Sequence, residues 1–263
     1  MTSSDKYQPL IAAQQRADKT QAFDRILFLG LPLDFFDLSQ ASLIPAGAFV
    51  ASLNLENVAL AVENPEFKRI ISSADLVLAD GEAVVLAANY LSHTVTNSDN
   101  QPQNKLKKIH KVAGIDLAEI LLLKHDRIAI LGSTTEVIAK LQEKFAEKIV
   151  FAHHGFFALG ESEYIARQIG ASGAEILLVG MGAPAQEKFI YDYKKYFSST
   201  TALAVGGALD VLAGAHSRAP AWMINLKLEW LFRILQEPFR LKRIFLRVPR
   251  FCSLIASTYF YRG

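Results

Sequence analysis

The residues with the clearest chemical potential stand where apolar runs end. Asp80 and Gly81 follow the run from Ala74 to Ala79, and Gly132, Ser133 and Thr134 follow Arg127 to Leu131. His153, His154, Gly155, Phe156 and Phe157 follow Lys148 to Ala152. The stretch Gly180 to Glu187, with Gly182 and Gln186, follows Glu175 to Val179, and Gly206, Gly207 and Asp210 follow Thr201 to Val205. Glycine at such points lets a ligand approach backbone amides closely, and the helix N-termini that come next favour phosphate. Five such turns on one edge describe a site for a nucleotide diphosphate. Each turn taken alone is also what a tight strand-to-helix connection requires.

Two other chemistries find weaker support. Gly180-x-Gly182-x-x-Ala185 has the form of a dinucleotide fingerprint, but it lies late in the chain, and Pro184 with Gln186 and Glu187 is atypical of that loop. No acidic residue ends the next apolar run, as a ribose-binding site would want. No Asp-x-Asp pair offers itself to a divalent ion. His153 and His154 are neighbours, so on a strand they point to opposite faces and suit turn or packing roles better than a shared metal. Cys252 is the lone cysteine and sits in an apolar segment. It can form no disulfide within the chain, which fits a reducing compartment.

These turns need a scaffold that gathers them. The pattern predicts strands over residues 25–30, 49–53, 74–79, 127–132, 148–152, 175–180 and 201–205. Helical periodicity follows most of them, over 82–91, 114–124, 161–171 and 184–197. Ser133-Thr-Thr-Glu136 reads as a capping box. Strands and helices in alternation predict an α/β fold, a Rossmann-like, mostly parallel sheet covered by helices on both faces, with ligands bound beyond the carboxyl ends of the strands. Residues 1–24 read as a polar lead-in and 93–110 as an exposed polar loop. Trp222, Leu226, Trp230, Phe232 and Ile234 read as one helix, interrupted at Pro238.

Charge divides the chain unevenly. The net charge is +2, yet residues 216–263 hold nine Lys and Arg against two Glu, a balance of +7. The remainder holds 19 basic and 24 acidic residues, a balance of −5. We therefore divide the chain into a lead-in (1–24), a Rossmann-like catalytic domain (25–215) and a basic, aromatic-rich helical appendage (216–263). A basic end on an acidic body suits an anionic surface. Nucleic acid is not expected, because the body is acidic and no nucleic-acid motif is present. The first 25 residues contain no apolar signal core, and no run reaches the ~20 apolar residues of a spanning helix. The expected location is the cytoplasm, at the inner face of the membrane.

Taken in order, these blocks resemble the WecG/TagA/CpsF family of bacterial glycosyltransferases, over roughly residues 25–250. The resemblance rests on Ala74 to Gly81, Val112 to Leu117, Val179 to Lys188, and the block from Gly206 to Arg240 with Arg218-Ala-Pro220 and Leu228-Glu-Trp-Leu-Phe-Arg233. It implies transfer of a sugar from a UDP-sugar to an undecaprenyl-diphosphate-linked acceptor, with inversion and without a bound metal or other cofactor, in cell-envelope or exopolysaccharide synthesis. It implies a C-terminal appendage that meets the membrane.

By position, the resemblance makes Asp80 the catalytic base, in preference to a cap of the helix that follows. Ser52 and Asn54 match the family's Thr-x-Asn pair, and Gln186 matches a Gln facing the nucleotide-sugar pocket. Asp210 would bind uracil or ribose; Phe156 or Phe157 would flank the base, Phe157 being equally suited to the core. Gly132 and Gly182 would admit the donor. The family usually carries Arg where this chain has Lys111, which keeps the charge and loses the bidentate fork. Arg218, Arg233 and Arg240 are the other cations available to a leaving diphosphate. Arg233, Arg240, Lys242, Arg243 and Arg247 would face lipid and the lipid-linked acceptor. The sugar, the acceptor glycan and the oligomeric state stay open. A nicotinamide-dependent oxidoreductase and a non-catalytic membrane-docking subunit are the alternatives.

Overall fold

A computed structural model describes the backbone of residues 23–96, 108–236 and 239–260, and the side chains of 23–91, 108–236 and 247–257. The fold is mixed α/β. Arg25–Phe28 (β1) and Leu31–Asp34 (β2) form an antiparallel hairpin. Among the described residues, one six-stranded sheet follows, made of Phe49–Leu53 (β3), Leu76–Ala79 (β4), Ile128–Gly132 (β5), Ile149–His153 (β6), Ile176–Gly180 (β7) and Thr201–Ala204 (β8). Its order is β4-β3-β8-β7-β5-β6, and every pairing is parallel. All carboxyl ends therefore open on one edge.

The strands are apolar on both faces because both are covered. Phe49, Ala51 and Leu53 of β3 face one core, while Val50 faces the other. Leu177 and Val179 of β7 alternate in the same way with Ile176 and Leu178. Leu55–Glu63 (α1), Pro65–Ser72 (α2), Glu82–Thr96 (α3), Ser162–Ala171 (α6) and Ala185–Tyr193 (α7) cover the first face. Gly114–Lys124 (α4), Thr135–Lys144 (α5) and Ala208–Leu212 (α8) cover the second. Neighbouring strands β7 and β8 thus send their helices to opposite faces, which leaves a crevice between their ends.

The hairpin is a correction to the expectation of a single strand over 25–30. Leu29 and Gly30 both take positive φ, 52° and 74°, the geometry of a two-residue hairpin turn. Pro32 is tolerated in so short a strand outside the main sheet. Asp34 then locks the hairpin to β4: its carboxylate accepts from Arg25 Nε (2.7 Å) and Nη2 (2.8 Å) and from the Val77 amide (2.6 Å).

The helix expected across Trp222 to Ile234 is two helices, Ala221–Asn225 (α9) and Glu229–Gln236 (α10), parted at Lys227, whose φ is 62°. The interleaved basic and aromatic stretch beyond forms one helix, Phe239–Phe260 (α11), with Pro249 inside it. The helix α11 returns to α1, where Arg247 meets Glu56 (3.4 Å) and Arg250 meets Glu63 (3.0 Å). Phe251 enters the first core beside Phe28, with ring centroids 6.5 Å apart. Among the described residues no helix is long and apolar enough to cross a membrane. In the expected 93–110 loop, residues 93–96 belong to α3 and 108–113 have no regular structure; 97–107 lie outside the described residues, as does the 1–22 part of the lead-in.

Candidate active site

Asp80 stands just past β4, where Gly81 turns the chain with φ 133°. Its amide donates to the Leu53 carbonyl (2.8 Å), which holds it against the end of β3. Its carboxylate accepts from the Gly114 amide at the start of α4. Burial pushes its carboxyl above the ordinary carboxylate value, and Glu229 adds to the rise. Arg233, Lys111 and the Gly114 hydrogen bond pull the other way. Part of the residue still reaches solvent. A carboxylate enclosed, raised in proton affinity and open on one side has the attributes of a general base.

A charge network surrounds it. Lys111 Nζ donates to Glu229 Oε2 (2.8 Å) and lies 3.9 Å from Glu82. Lys227 joins Glu82 (3.2 Å), and Arg233 lies 3.8 Å from Glu229. Arg218 is bound to Asp116 and lies 3.8 Å from Glu119, both on α4. The C-terminal helices thus contribute Glu229 and Arg233 directly beside Asp80. A small open cleft runs between α4, α8 and α10, with Gly207, Val211, His216, Arg218, Glu229 and Arg233 on its walls.

Ser52 and Asn54 sit at the end of β3, next to this group. Ser52 is buried, and its carbonyl accepts from Asn57 Nδ2 (2.9 Å). Asn54 caps α1: its Oδ1 accepts from the Asn57 amide (2.9 Å). Its Cβ lies within van der Waals reach of where a side chain on Gly81 would stand.

A second group gathers at the ends of β5, β7 and β8. Gly132 has φ 137°, and a Cβ there would run into the Gly180 backbone. Ser133 takes φ 55°, so its hydroxyl leaves the following helix and donates to Asp210 Oδ1 (2.7 Å). This corrects the expected capping box: the cap of α5 is Thr134, whose Oγ1 accepts from Val137 (3.4 Å). Gln186, 4% exposed, donates from Nε2 to Glu187 Oε1 (2.8 Å) and accepts at Oε1 from the Gly206 amide (3.0 Å). Gly182 has open space where a side chain would be.

The remaining expected residues are scattered. Phe156 is 74% exposed, while Phe157 packs edge-on against His153 and Phe189 and belongs to the core margin. His153 Nδ1 lies 2.7 Å from the His154 carbonyl, a turn contact. Arg247 is engaged by α1, and the side chains of Arg240, Lys242 and Arg243 lie outside the described residues. Among the described residues no three His, Cys, Asp or Glu side chains are grouped to hold a metal ion. Glu229, Glu187 and Ser133 were assigned no role from sequence. Glu229 had one signal, being one of only two acidic residues in a strongly basic stretch.

Comparison with known proteins identifies the family. Residues 28–262 match the model of the glycosyl transferase WecG/TagA/CpsF family. N-acetylglucosaminyldiphosphoundecaprenol N-acetyl-beta-D-mannosaminyltransferase of Bacillus subtilis is 31% identical over 216 residues, 80% of this chain and 79% of that protein. The protein of the same name from Staphylococcus aureus is likewise 31% identical over 216 residues, 80% of each chain. With the match spanning the sheet, the Asp80 network and the C-terminal helices alike, the chain belongs to the WecG/TagA/CpsF family of glycosyltransferases.

Proposed function

We propose that this protein transfers a sugar from a UDP-sugar to a hydroxyl of a polyprenyl-diphosphate-linked glycan, with inversion and without a bound metal, in envelope or exopolysaccharide synthesis. The observation that carries the reading is the buried Asp80 carboxylate, set at a strand end within the field of Lys111 and Arg233. Asp80 takes the proton of the acceptor hydroxyl as its oxygen forms the bond to the anomeric carbon. The bond from that carbon to the UDP oxygen breaks, and UDP leaves with its electron pair. Lys111, Arg218 and Arg233 offset the charge that develops on the diphosphate, the work a divalent ion does in other transferases. Lys111 acts there as a point charge in place of a bidentate arginine.

The second group of residues receives the donor: the turns at Gly132, Gly182 and Gly206 face phosphate and ribose, and Gln186 and Asp210 orient the nucleotide. The names of the relatives favour an N-acetylmannosamine donor and an N-acetylglucosaminyl-diphosphoundecaprenol acceptor. In this reading residues 25–215 are the catalytic domain. Residues 216–263 meet the inner face of the membrane, with Trp222 and Trp230, both more than half exposed, entering the headgroups.

Calorimetric titration with UDP, in the presence and absence of EDTA and with NAD as the comparison, tests the proposal. UDP binding that EDTA leaves unchanged, followed by sugar transfer to a lipid-diphosphate acceptor that Asp80→Asn abolishes, is the expected result. NAD binding with UDP silent would overturn it.

A further inference from the structure

The helix α7 opens with two consecutive polar residues that the fold encloses, Gln186 at 4% exposure and Glu187 at 0%. Only one oxygen of Glu187 has a partner. Its Oε1 accepts from Gln186 Nε2 (2.8 Å), while Oε2 is buried with none. Burial pushes the carboxyl up to about 6. A carboxylate held out of water by one side-chain hydrogen bond and its own backbone amide weakens a fold, and an apolar residue of similar volume packs there at lower cost.

What the carboxylate supplies is direction. An ionised Glu accepts and cannot donate, so Gln186 can turn only its NH2 group toward it. The amide oxygen of Gln186 then faces the other way, onto the Gly206 amide (3.0 Å), which can only donate. Gly206, with φ 54°, begins the turn that leads to Asp210, and Asp210 is held in turn by Ser133 (2.7 Å). One chain of hydrogen bonds thus links α7 to the β8 turn, while Ser133 ties Asp210 to the end of β5. Without an acceptor at position 187 the amide of Gln186 is free to reverse, which would set its NH2 against the Gly206 N–H.

We infer that Glu187 is a positioning residue of the donor site: it fixes the orientation of the Gln186 amide and, through Gly206, the turn that carries Asp210. The inference rests on the proposed UDP-sugar reading for the purpose it assigns, and on the hydrogen bonds alone for the geometry.

The test compares Glu187→Met, Glu187→Gln and Gln186→Ala in the full chain. UDP is the calorimetric probe, and nitrogen-edited NMR follows the Gln186 side-chain amide. Met removes the acceptor, whereas Gln can offer its carbonyl. Loss of a hydrogen bond to a charged group predicts that Glu187→Met weakens UDP binding about tenfold. Glu187→Gln should restore affinity to within about threefold, the span of an ordinary neutral hydrogen bond. The Gln186 amide protons should exchange slowly in the native protein and in Glu187→Gln, and fast in Glu187→Met. The inference is overturned if Glu187→Met, still folded, binds UDP as the native protein does. It is equally overturned if Glu187→Gln is as impaired as Glu187→Met, or if Gln186→Ala leaves UDP binding unchanged. A native protein that ignores UDP would refute the proposed function, and the exchange of the Gln186 amide would still decide the positioning role.

Discussion

Replacing Glu187 by Gln is expected to stabilise the protein at pH 8 far more than at pH 5. The folded-state pKa of Glu187 is pushed from 4.5 up to about 6 by burial. A carboxyl raised in this way contributes stability that is fully present below its unfolded pKa and is lost as pH rises through the folded one. From 4.5 to about 6 is roughly 1.5 pH units at about 1.4 kcal/mol each, or about 2 kcal/mol by pH 8. Linkage gives a little under half of that at pH 5, where the folded-state carboxyl is still mostly protonated. The group has no solvent exposure, so no discount for screening applies. Gln cannot ionise and escapes the penalty. The assay is urea unfolding of the native protein and the variant in parallel, at several pH values from 5 to 8. Every other titrating group cancels in the difference, and any fixed cost of the amide adds a constant. The predicted signature is a gap that widens by about 1 kcal/mol across the range. A gap that stays flat would show that Glu187 is not held ionised out of water, and the argument for its orienting role would lose its physical basis.

Asp80→Asn should lower turnover by roughly 10²–10⁴ while leaving UDP affinity within about threefold, because the amide keeps the shape and cannot take a proton. Retention of more than a tenth of native turnover would remove Asp80 from the role of base. The native enzyme should lose activity on acidification with a midpoint above 3.8, since burial raises the Asp80 carboxyl; a pH–rate profile measures it. Lys111→Met removes the hydrogen-bond partner of Glu229, leaving it with Arg233 at 3.8 Å, and should cost about 1–3 kcal/mol, most of it recovered in the double variant with Glu229→Gln. Additive effects in that urea-unfolding cycle would show the pair to be uncoupled. Arg25→Met leaves the Asp34 carboxylate, which burial already raises, without its cation. That should destabilise by about 3–5 kcal/mol, and a loss below 1 kcal/mol would be evidence against the hairpin lock.

The parallel sheet was legible because strands covered on both faces are written as unbroken apolar runs that stop at Gly or Asp. Residues 76–79, 128–132 and 176–180 follow that pattern. What the sequence hid was decided by backbone conformations that leave no periodic trace. Leu29, Ser133 and Lys227 all take positive φ without being glycine. The first turns an apparent single strand into a hairpin, the second shifts a cap by one residue, and the third breaks a helix. Asp80 could be found by its place at a strand end. Its neighbours could not, because the Lys111–Glu229 contact joins residues 118 apart and Ser133–Asp210 joins residues 77 apart. Pairings at that distance are set by packing, and periodicity carries no information about them.

The return of α11 to α1 has a consequence for which parts of the molecule open together. Phe251 fills part of the core beside Phe28, and Glu56 and Glu63 of α1 are both matched by arginines of α11. Segments joined in this way unfold as one cooperative unit, so the amides of α1 and α11 should show a common protection against hydrogen exchange. Asn54 caps that same α1 and stands beside Gly81. An excision of the C-terminal helices would therefore loosen the wall behind Asp80 from a distance, and point changes on the exposed face of α9 and α10 would separate docking from folding where a truncation merges them.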